Sequence, residues 1–497
     1  MNQPTKSCDF LVIGGGSAGA ILARRLAEAN IGKVVLLESG MSDENNRAIL
    51  DLSRLDPQGQ ETEWGFSANP VSGGVQQIQY SRAKMLGGCG NHNDCAFLIP
   101  PPSDFDHWAS RGANGWGAKE VAPFFKKLEN RVDINVAPPI SSLSETFIRA
   151  GESAGLRRRD FRKSIQPGVG AFPLNVMGSK RQSSSVAYLH PLKALPPNLE
   201  VCCTTTAKKL ILKGNRATGC LTQDGEIRAH REVLLCCGAI QSPQLMMVSG
   251  LGPADQLAEF GIEAVADLPG VGQNLADHAA ANIAIALKGS APEWELTPCE
   301  VTMMLQVNDN EPAPDLLYHF VLRMREKYVD YDPRIAGLNG AKISPNVTRP
   351  KSRGYLRLRS PRFDDPPEIN LNYFSDPEEY DMRTIIKGLR FARKIANTDV
   401  FRSVSDREVL PGLSFETDNE LAAYVRETCE TVYHPAGTCR MGRIDDAMSV
   451  VGPDLRVKGV EGLRVCDASV FPSMVTVNIN NTVMMVAEKA AELVSAL

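Results

Sequence analysis

Residues 9–40 read DFLVIGGGSAGAILARRLAEANIGKVVLLESG. The opening DFLVI is an apolar, β-branched run that stops abruptly at glycines, as a buried strand does where it enters a turn. In the following SAGAILARRLAEA, Ala20, Leu22, Ala23, Leu26 and Ala27 recur on one face of a 3.6-residue repeat, which predicts a helix. KVVLLESG then reads as a second buried strand. Strand, glycine turn, helix and strand within 40 residues make a βαβ unit, and its right-handed crossover makes the sheet parallel. The fold class is therefore α/β.

The turn carries chemistry of its own. Gly14, Gly16 and Gly19 occupy the three glycine places of GxGxxG, with Ser17 and Ala18 between the last two. Gly14 permits the tight turn, Gly16 lets backbone approach a pyrophosphate, and Gly19 allows helix and strand to pack closely. The helix start offers N–H groups and a partial positive charge to the phosphates. Glu38 closes the second strand nineteen residues past Gly19, where an acid accepts hydrogen bonds from an adenosine ribose. FAD and NAD both present an ADP half to such a site, so the spacing predicts a dinucleotide and leaves its identity open.

Working outward, REVLLCCGA (231–239) reads as another buried strand, with AIQSPQLMMVSG as the turn and short helix after it. From about 290 to 370 the texture changes. APDLLYHFVLRM and GYLRLRS alternate apolar with polar residues, as half-exposed antiparallel strands do. DPEEYDMRTIIKGLRFARKIANT predicts a helix, GLRVCDAS a strand, and TVMMVAEKAAELVSAL an amphipathic helix at the end of the chain. A parallel-sheet nucleotide-binding domain interrupted by an antiparallel one is the simplest arrangement.

Composition sets bounds on function. The 497 residues carry 54 Lys and Arg against 58 Asp and Glu, a net charge of −4. That balance argues against a nucleic-acid partner, which calls for a basic face. No apolar run reaches the roughly 18 residues of a membrane span. The opening MNQPTKSCDFLVIGGG lacks the pattern of a signal peptide, so a cytoplasmic location is expected. The twelve cysteines show no CxxC spacing and read as small buried hydrophobes in a reducing compartment. His107, His190, His230, His278 and His319 form no HxxH or HExxH pattern; they read as structural or exposed, and no metal is expected.

Further segments resemble the glucose–methanol–choline (GMC) oxidoreductases. These are Gly238-Ala239-Ile240-Gln241-Ser242-Pro243 with its continuation to Gly252, SRAKMLGGCGNHNDCAF (81–97), LPGVGQNLADH (268–278), SRGYLRLRS with NYFSDP, HPAGTCRMG (434–442), and GLRVCDASVFPSMVTVNINNT. They run in the family's order over nearly the whole chain. The motifs VYHPAGTCRMG and VTVNIN and the histidine at 92 are most similar to the choline oxidase-like branch.

The resemblance implies FAD and a Rossmann-like FAD-binding domain (1–135, 190–288 and 430–497). Interleaved with it would be an α+β substrate domain built on an antiparallel sheet (136–189 and 289–429). Gly14, Gly16, Ser17, Ala18, Gly19 and Glu38 would hold the ADP half, and Gly87, Gly88 and Asn93 would line the flavin and pyrophosphate. Ala207 would offer a backbone contact to the adenine, and Asp467 and Ala468 would approach the pyrophosphate and ribityl chain. His434 and Asn478 match the catalytic pair: His434 would take the hydroxyl proton of a primary alcohol, and Asn478 would hold its oxygen as a hydride passes to flavin N5. Asn480 competes for the Asn478 role.

His92 stands where some members join the flavin covalently and others carry a histidine without a bond, so both readings stay open. Asp94 replaces the small residue usual after that Asn. It is read either as a receiver for a substrate amine or quaternary ammonium, or as one half of a salt bridge to a neighbouring Arg or Lys. The small-molecule alcohol is left open among choline-like, aromatic and pyridoxine-like compounds. Reoxidation by O2 to give H2O2 is expected. A dehydrogenase passing electrons to a quinone or other acceptor, a lyase or photochemical flavin protein, and a flavin protein without turnover stand as alternatives. Oligomeric state is open.

Overall fold

β1 (Lys6–Ile13) runs into Gly14, and α1 (Gly19–Glu28) carries the chain back to β2 (Val34–Leu37). Phe10, Leu11, Val12 and Ile13 lie in parallel register with Val34, Val35, Leu36 and Leu37, and all eight are buried. The computed structural model describes every residue except 1–5, 55–59, 72, 75, 136–137, 139, 293, 295, 323–332, 336 and 497. Arg323 and Met324, at the end of one predicted strand, and Leu497, at the end of the last predicted helix, thus lie outside the described residues.

The sheet around β1 has the order Leu199–Cys202, β2, β1, Gly225–Leu235, Arg216–Thr222, Ala207–Lys213. Strand Leu463–Val465 adds in parallel to Gly225–Leu235. The outer two strands form an antiparallel hairpin, so the sheet is mixed. Its strands come from three distant stretches of chain. The C-terminal helix Asn480–Ser495 packs against α1, where Glu488, 2% exposed, pairs with Arg25 at 2.9 Å and accepts from the Tyr188 hydroxyl at 2.5 Å.

The second large sheet is antiparallel, with the order Ser405–Leu410, Ile283–Leu287, Gly340–Val347, Leu316–Val321, Val301–Leu305, Gly168–Ala171. Helices Ser142–Ser153 and Tyr380–Ala396 cover one face: the Phe147 ring stacks on Phe320 at 4.3 Å, and the Tyr318 hydroxyl donates to the Gly388 carbonyl at 3.0 Å. Helix Tyr380–Ala396 starts where Asp376 accepts from the backbone N–H groups of Tyr380 and Asp381, which satisfies donors that a helix start leaves free.

Two expectations need correction. Strand Leu316–Val321 is buried on nearly its whole length, because the helices seal the Leu316, Tyr318 and Phe320 side while His319 and Val321 wall a cavity on the other. GYLRLRS does hold a half-exposed antiparallel strand, Tyr355–Arg357, which pairs with Glu368–Asn370 in a ribbon apart from the large sheet. The boundary placed at 288 also falls late, since Ala279–Ala280 and Ile283–Leu287 already pair within the antiparallel sheet.

No helix among the described residues is long and apolar enough to cross a membrane. The described residues hold no group of three or more His, Cys, Asp or Glu arranged for a metal ion, and all twelve cysteines are free thiols.

Candidate active site

The glycine turn after β1 is built by close backbone approach. Gly14 takes φ +101°, and a Cβ on Gly19 would fall 1.8 Å from the Gly14 carbonyl oxygen. Glu38 braces the turn: its carboxylate accepts from the N–H of Gly15 at 2.9 Å and of Gly40 at 2.7 Å. Burial pushes Glu38 up to about 7, against the pull of those two amides. Ser17 donates to the Asn480 side chain at 2.7 Å, which commits Asn480 to the turn.

A second loop lies across the first. Gly88 takes φ +53°, and a Cβ there would come within 2.7 Å of the Gly16 Cα, while Gly87 donates its N–H to the Gly15 carbonyl at 2.8 Å. Beyond it, His92 Nε2 meets the Glu63 carboxylate at 2.7 Å and the Ser81 hydroxyl at 3.4 Å. Burial opposes charge on His92, yet Cys89 and Glu63 raise its pKa. Cys89 departs from the reading of the cysteines as inert hydrophobes: burial works against ionisation, but the Arg82 guanidinium and the His92 ring bring its thiol down to about 7.

His434 lines the same cavity, fixed at three points. Its backbone N–H donates to Asp277 Oδ1 at 2.8 Å, its Nδ1 lies 2.9 Å from His278 Nδ1, and its Nε2 lies 3.3 Å from Asn478 Nδ2. Asp277 is a buried hub. Its Oδ2 accepts from the hydroxyls of Tyr80 (2.8 Å), Tyr373 (2.7 Å) and Thr431 (2.6 Å), and its Oδ1 also takes the His278 N–H at 2.8 Å.

With the Asn478 amide N–H turned to His434 Nε2, that nitrogen carries no proton, and the ring proton lies on Nδ1 toward His278 Nδ1 as acceptor. Burial, reinforced by His278, His319 and Arg82, holds His434 well below the usual histidine range, and burial brings His278 down to about 4. Both rings are neutral near pH 7. Among the described residues the buried Asn478 Oδ1 has no partner. A base whose unprotonated nitrogen is held only by a 3.3 Å contact to an amide, beside that amide's unused oxygen, is a site built to receive a hydroxyl group.

The glycine turn, the Gly88–Asp94 loop and the His434/Asn478 pair wall one cavity of about 1150 Å³. That exceeds the roughly 300–1000 Å³ of an ordinary small-ligand pocket. Profiles described as GMC oxidoreductase match residues 8–280 and 350–487.

The chain belongs to the GMC oxidoreductase family.

This GMC oxidoreductase is 37% identical to the choline oxidase of Arthrobacter globiformis, covering 99% of this chain and 95% of that protein. It is 34% identical to the oxygen-dependent choline dehydrogenase of Brucella ovis, covering 97% and 95%. Among solved structures, pyridoxine 4-oxidase from Mesorbium loti superposes with a TM-score of 0.90 at 27% identity over 98% of both chains. The protein is an FAD-dependent enzyme that oxidises alcohols.

The residues present fit FAD. Gly14, Gly16, Ser17, Ala18 and Glu38 line the cavity together with Ala207, Asp467 and Ala468, and Gly88, His92 and Asn93 line it from the second loop. Each Glu38 oxygen spends one lone pair on a backbone amide and keeps another for a ribose hydroxyl. Asp467 takes the N–H groups of Gly238 and Ser469 and the Ser242 hydroxyl, so its carboxylate shapes the wall and holds the start of helix Gly238–Val248. Gly19 and Gly87 stand behind the wall, where Gly19 leaves room for the Gly14 carbonyl and Gly87 for the Asn91 and Ser185 side chains.

Sequence reading missed His278, Asp277 and Glu63. The Asp277-His278 pair lay within the quoted segment LPGVGQNLADH, but nothing local ties it to a histidine 156 residues away.

Proposed function

We propose that this enzyme oxidises a primary alcohol to its aldehyde and passes the electrons to O2, forming H2O2. The neutral His434 in the cavity lining, its Nε2 held by a 3.3 Å contact to the Asn478 amide that an incoming hydroxyl can replace, is the observation that carries the reading. FAD, when bound, supplies the two-electron acceptor, with N5 as the hydride-receiving atom. His434 Nε2 accepts the hydroxyl proton, and the electron density left on oxygen favours loss of hydride from the carbinol carbon. Asn478 donates to that oxygen and orients the carbon. His278 accepts from His434 Nδ1 and so stabilises the positive charge the ring acquires. Asp277 anchors both histidines by their backbones.

Support for O2 comes from the names of the two curated relatives, an oxidase and an oxygen-dependent dehydrogenase. His92 lines the cavity with the Glu63 carboxylate on its Nε2; on this ground we propose that it would hold the flavin covalently, its ring nitrogen replacing one hydrogen of the flavin 8-methyl group, with Glu63 taking the N–H proton and the two electrons passing into the flavin ring, from which O2 removes them. The test is to mix the holoenzyme anaerobically with a panel of primary alcohols and then readmit O2. Bleaching of the flavin followed by one H2O2 per flavin is expected. Reduced flavin that persists in air and reoxidises with a quinone would replace the oxidase reading with a dehydrogenase.

A further inference from the structure

Asp94 is an acid set into the wall of the catalytic cavity, and the salt-bridge reading of it finds no partner: among the described residues it forms no ion pair. The backbone places it there. Asn93 caps the following turn by accepting from the Cys95 N–H at 3.0 Å, and Cys95 takes φ +59°. The nearby Arg181 spends its guanidinium on the Asn93 carbonyl and on Cys95 Sγ. What meets the Asp94 carboxylate is neutral: the Thr297 hydroxyl donates to Oδ1 at 3.3 Å, and the Cys299 thiol, kept protonated by burial, hydrogen-bonds to it.

The other cations of the cavity have partners elsewhere: Lys342 is paired with Glu430 at 2.9 Å, Arg82 is turned onto the backbone carbonyls of Ser81 and Tyr433, and Arg334 reaches the Pro411 carbonyl at 3.4 Å. His319, which stacks on Phe172 at 5.7 Å, is neutral, as is His434. Asp94 thus faces the cavity with neutral hydrogen-bond partners only, although charged side chains line other parts of its wall. An uncompensated charge in such a place is costly unless the ligand brings its partner.

We propose that Asp94 is the specificity residue of this site and selects primary alcohols that carry a protonated amine with at least one N–H. This deepens the alcohol-oxidation reading and rests on it. A carboxylate oxygen recognises an N–H cation through a short charge-assisted hydrogen bond, which also fixes direction. A quaternary ammonium has no such proton and depends on aromatic faces. The hydroxyl end of the same molecule then reaches the His434/Asn478 pair in the shared cavity.

The test compares wild-type holoenzyme and Asp94→Asn in anaerobic flavin reduction by three alcohols. These are N,N-dimethylethanolamine, which has an N–H cation, choline, which has a cation without N–H, and 3,3-dimethylbutan-1-ol, which is neutral. Wild type should prefer N,N-dimethylethanolamine to each of the others by at least about tenfold in rate over dissociation constant. Asp94→Asn should lose about 100-fold with that amine and less than threefold with the neutral alcohol. Binding of dimethylammonium, read from the flavin absorbance, should weaken at least about tenfold in the variant, which shows the effect without turnover. Equal losses for amine and neutral alcohol, or a wild type that favours the neutral alcohol or choline, would overturn the role of Asp94 while leaving alcohol oxidation intact. A flavin that none of these alcohols, nor benzyl alcohol, reduces would overturn both.

Discussion

The His278 and His434 rings meet through their Nδ1 atoms at 2.9 Å, with their planes nearly perpendicular at 86°. With the Asn478 amide N–H toward the other nitrogen of His434, the proton between the rings belongs to His434 and His278 is its acceptor. His278, 156 positions away in sequence, thus holds the protonated nitrogen of the base and leaves the other to the alcohol.

Replacing that acceptor tests the relationship. His278→Asn should retain FAD and lower the limiting rate of flavin reduction by about 10- to 100-fold, the usual effect of removing a group that orients a working histidine. A wild-type rate in the variant would remove His278 from the account.

The pH dependence follows from burial. His434 is held well below the ordinary value near 6.5 because its charged form is poorly solvated. A depressed histidine stays neutral, and so competent as a base, as pH falls through 6.5. The limiting rate of anaerobic reduction should be flat from pH 8 to 6 and decline only below that. An acid limb centred at 6.5 or higher would contradict the buried, neutral base.

Asp277 offers a stability test. Its carboxylate satisfies three hydroxyls and two backbone N–H groups at once. Truncation to Ala leaves these buried donors without a partner, at roughly 1–3 kcal/mol for each that water does not reach. Asp277→Ala should be destabilised by at least about 3 kcal/mol in urea unfolding, and the fraction that remains folded should reduce slowly because His434 has lost its anchor. Unchanged stability would mean the hub is dispensable.

His92 and the flavin can be separated by acid precipitation. The wild-type pellet should stay yellow, and His92→Ala should bind FAD yet release all of it to the supernatant. A colourless wild-type pellet would show that the His92–Glu63 pair holds the cofactor without a bond.

The elements around the glycine turn were legible in sequence because both periodicities are strong there and the turn glycines are forced by backbone contact. The interleaving was legible too, since cofactor motifs stood near 14, 88 and 467. What sequence could not show were relations created by tertiary burial. The pattern of Leu316–Val321 suggested an exposed face because its polar residue, His319, looks outward in sequence and inward to a cavity in space. Cys89 read as a hydrophobe until Arg82 and His92 stood beside it. His434 and Asn478 were found by resemblance, but the Asp277 and His278 that position them come from a different part of the chain.

The central claim is that His434 removes the alcohol proton as the carbon is oxidised. Its most direct test is the limiting rate of anaerobic flavin reduction by a good alcohol substrate in His434→Ala, with FAD content checked by absorbance. We expect full cofactor occupancy and a rate lower by roughly 100- to 10,000-fold, the range that general-base catalysis contributes. Reduction at the wild-type rate with the cofactor in place would contradict it.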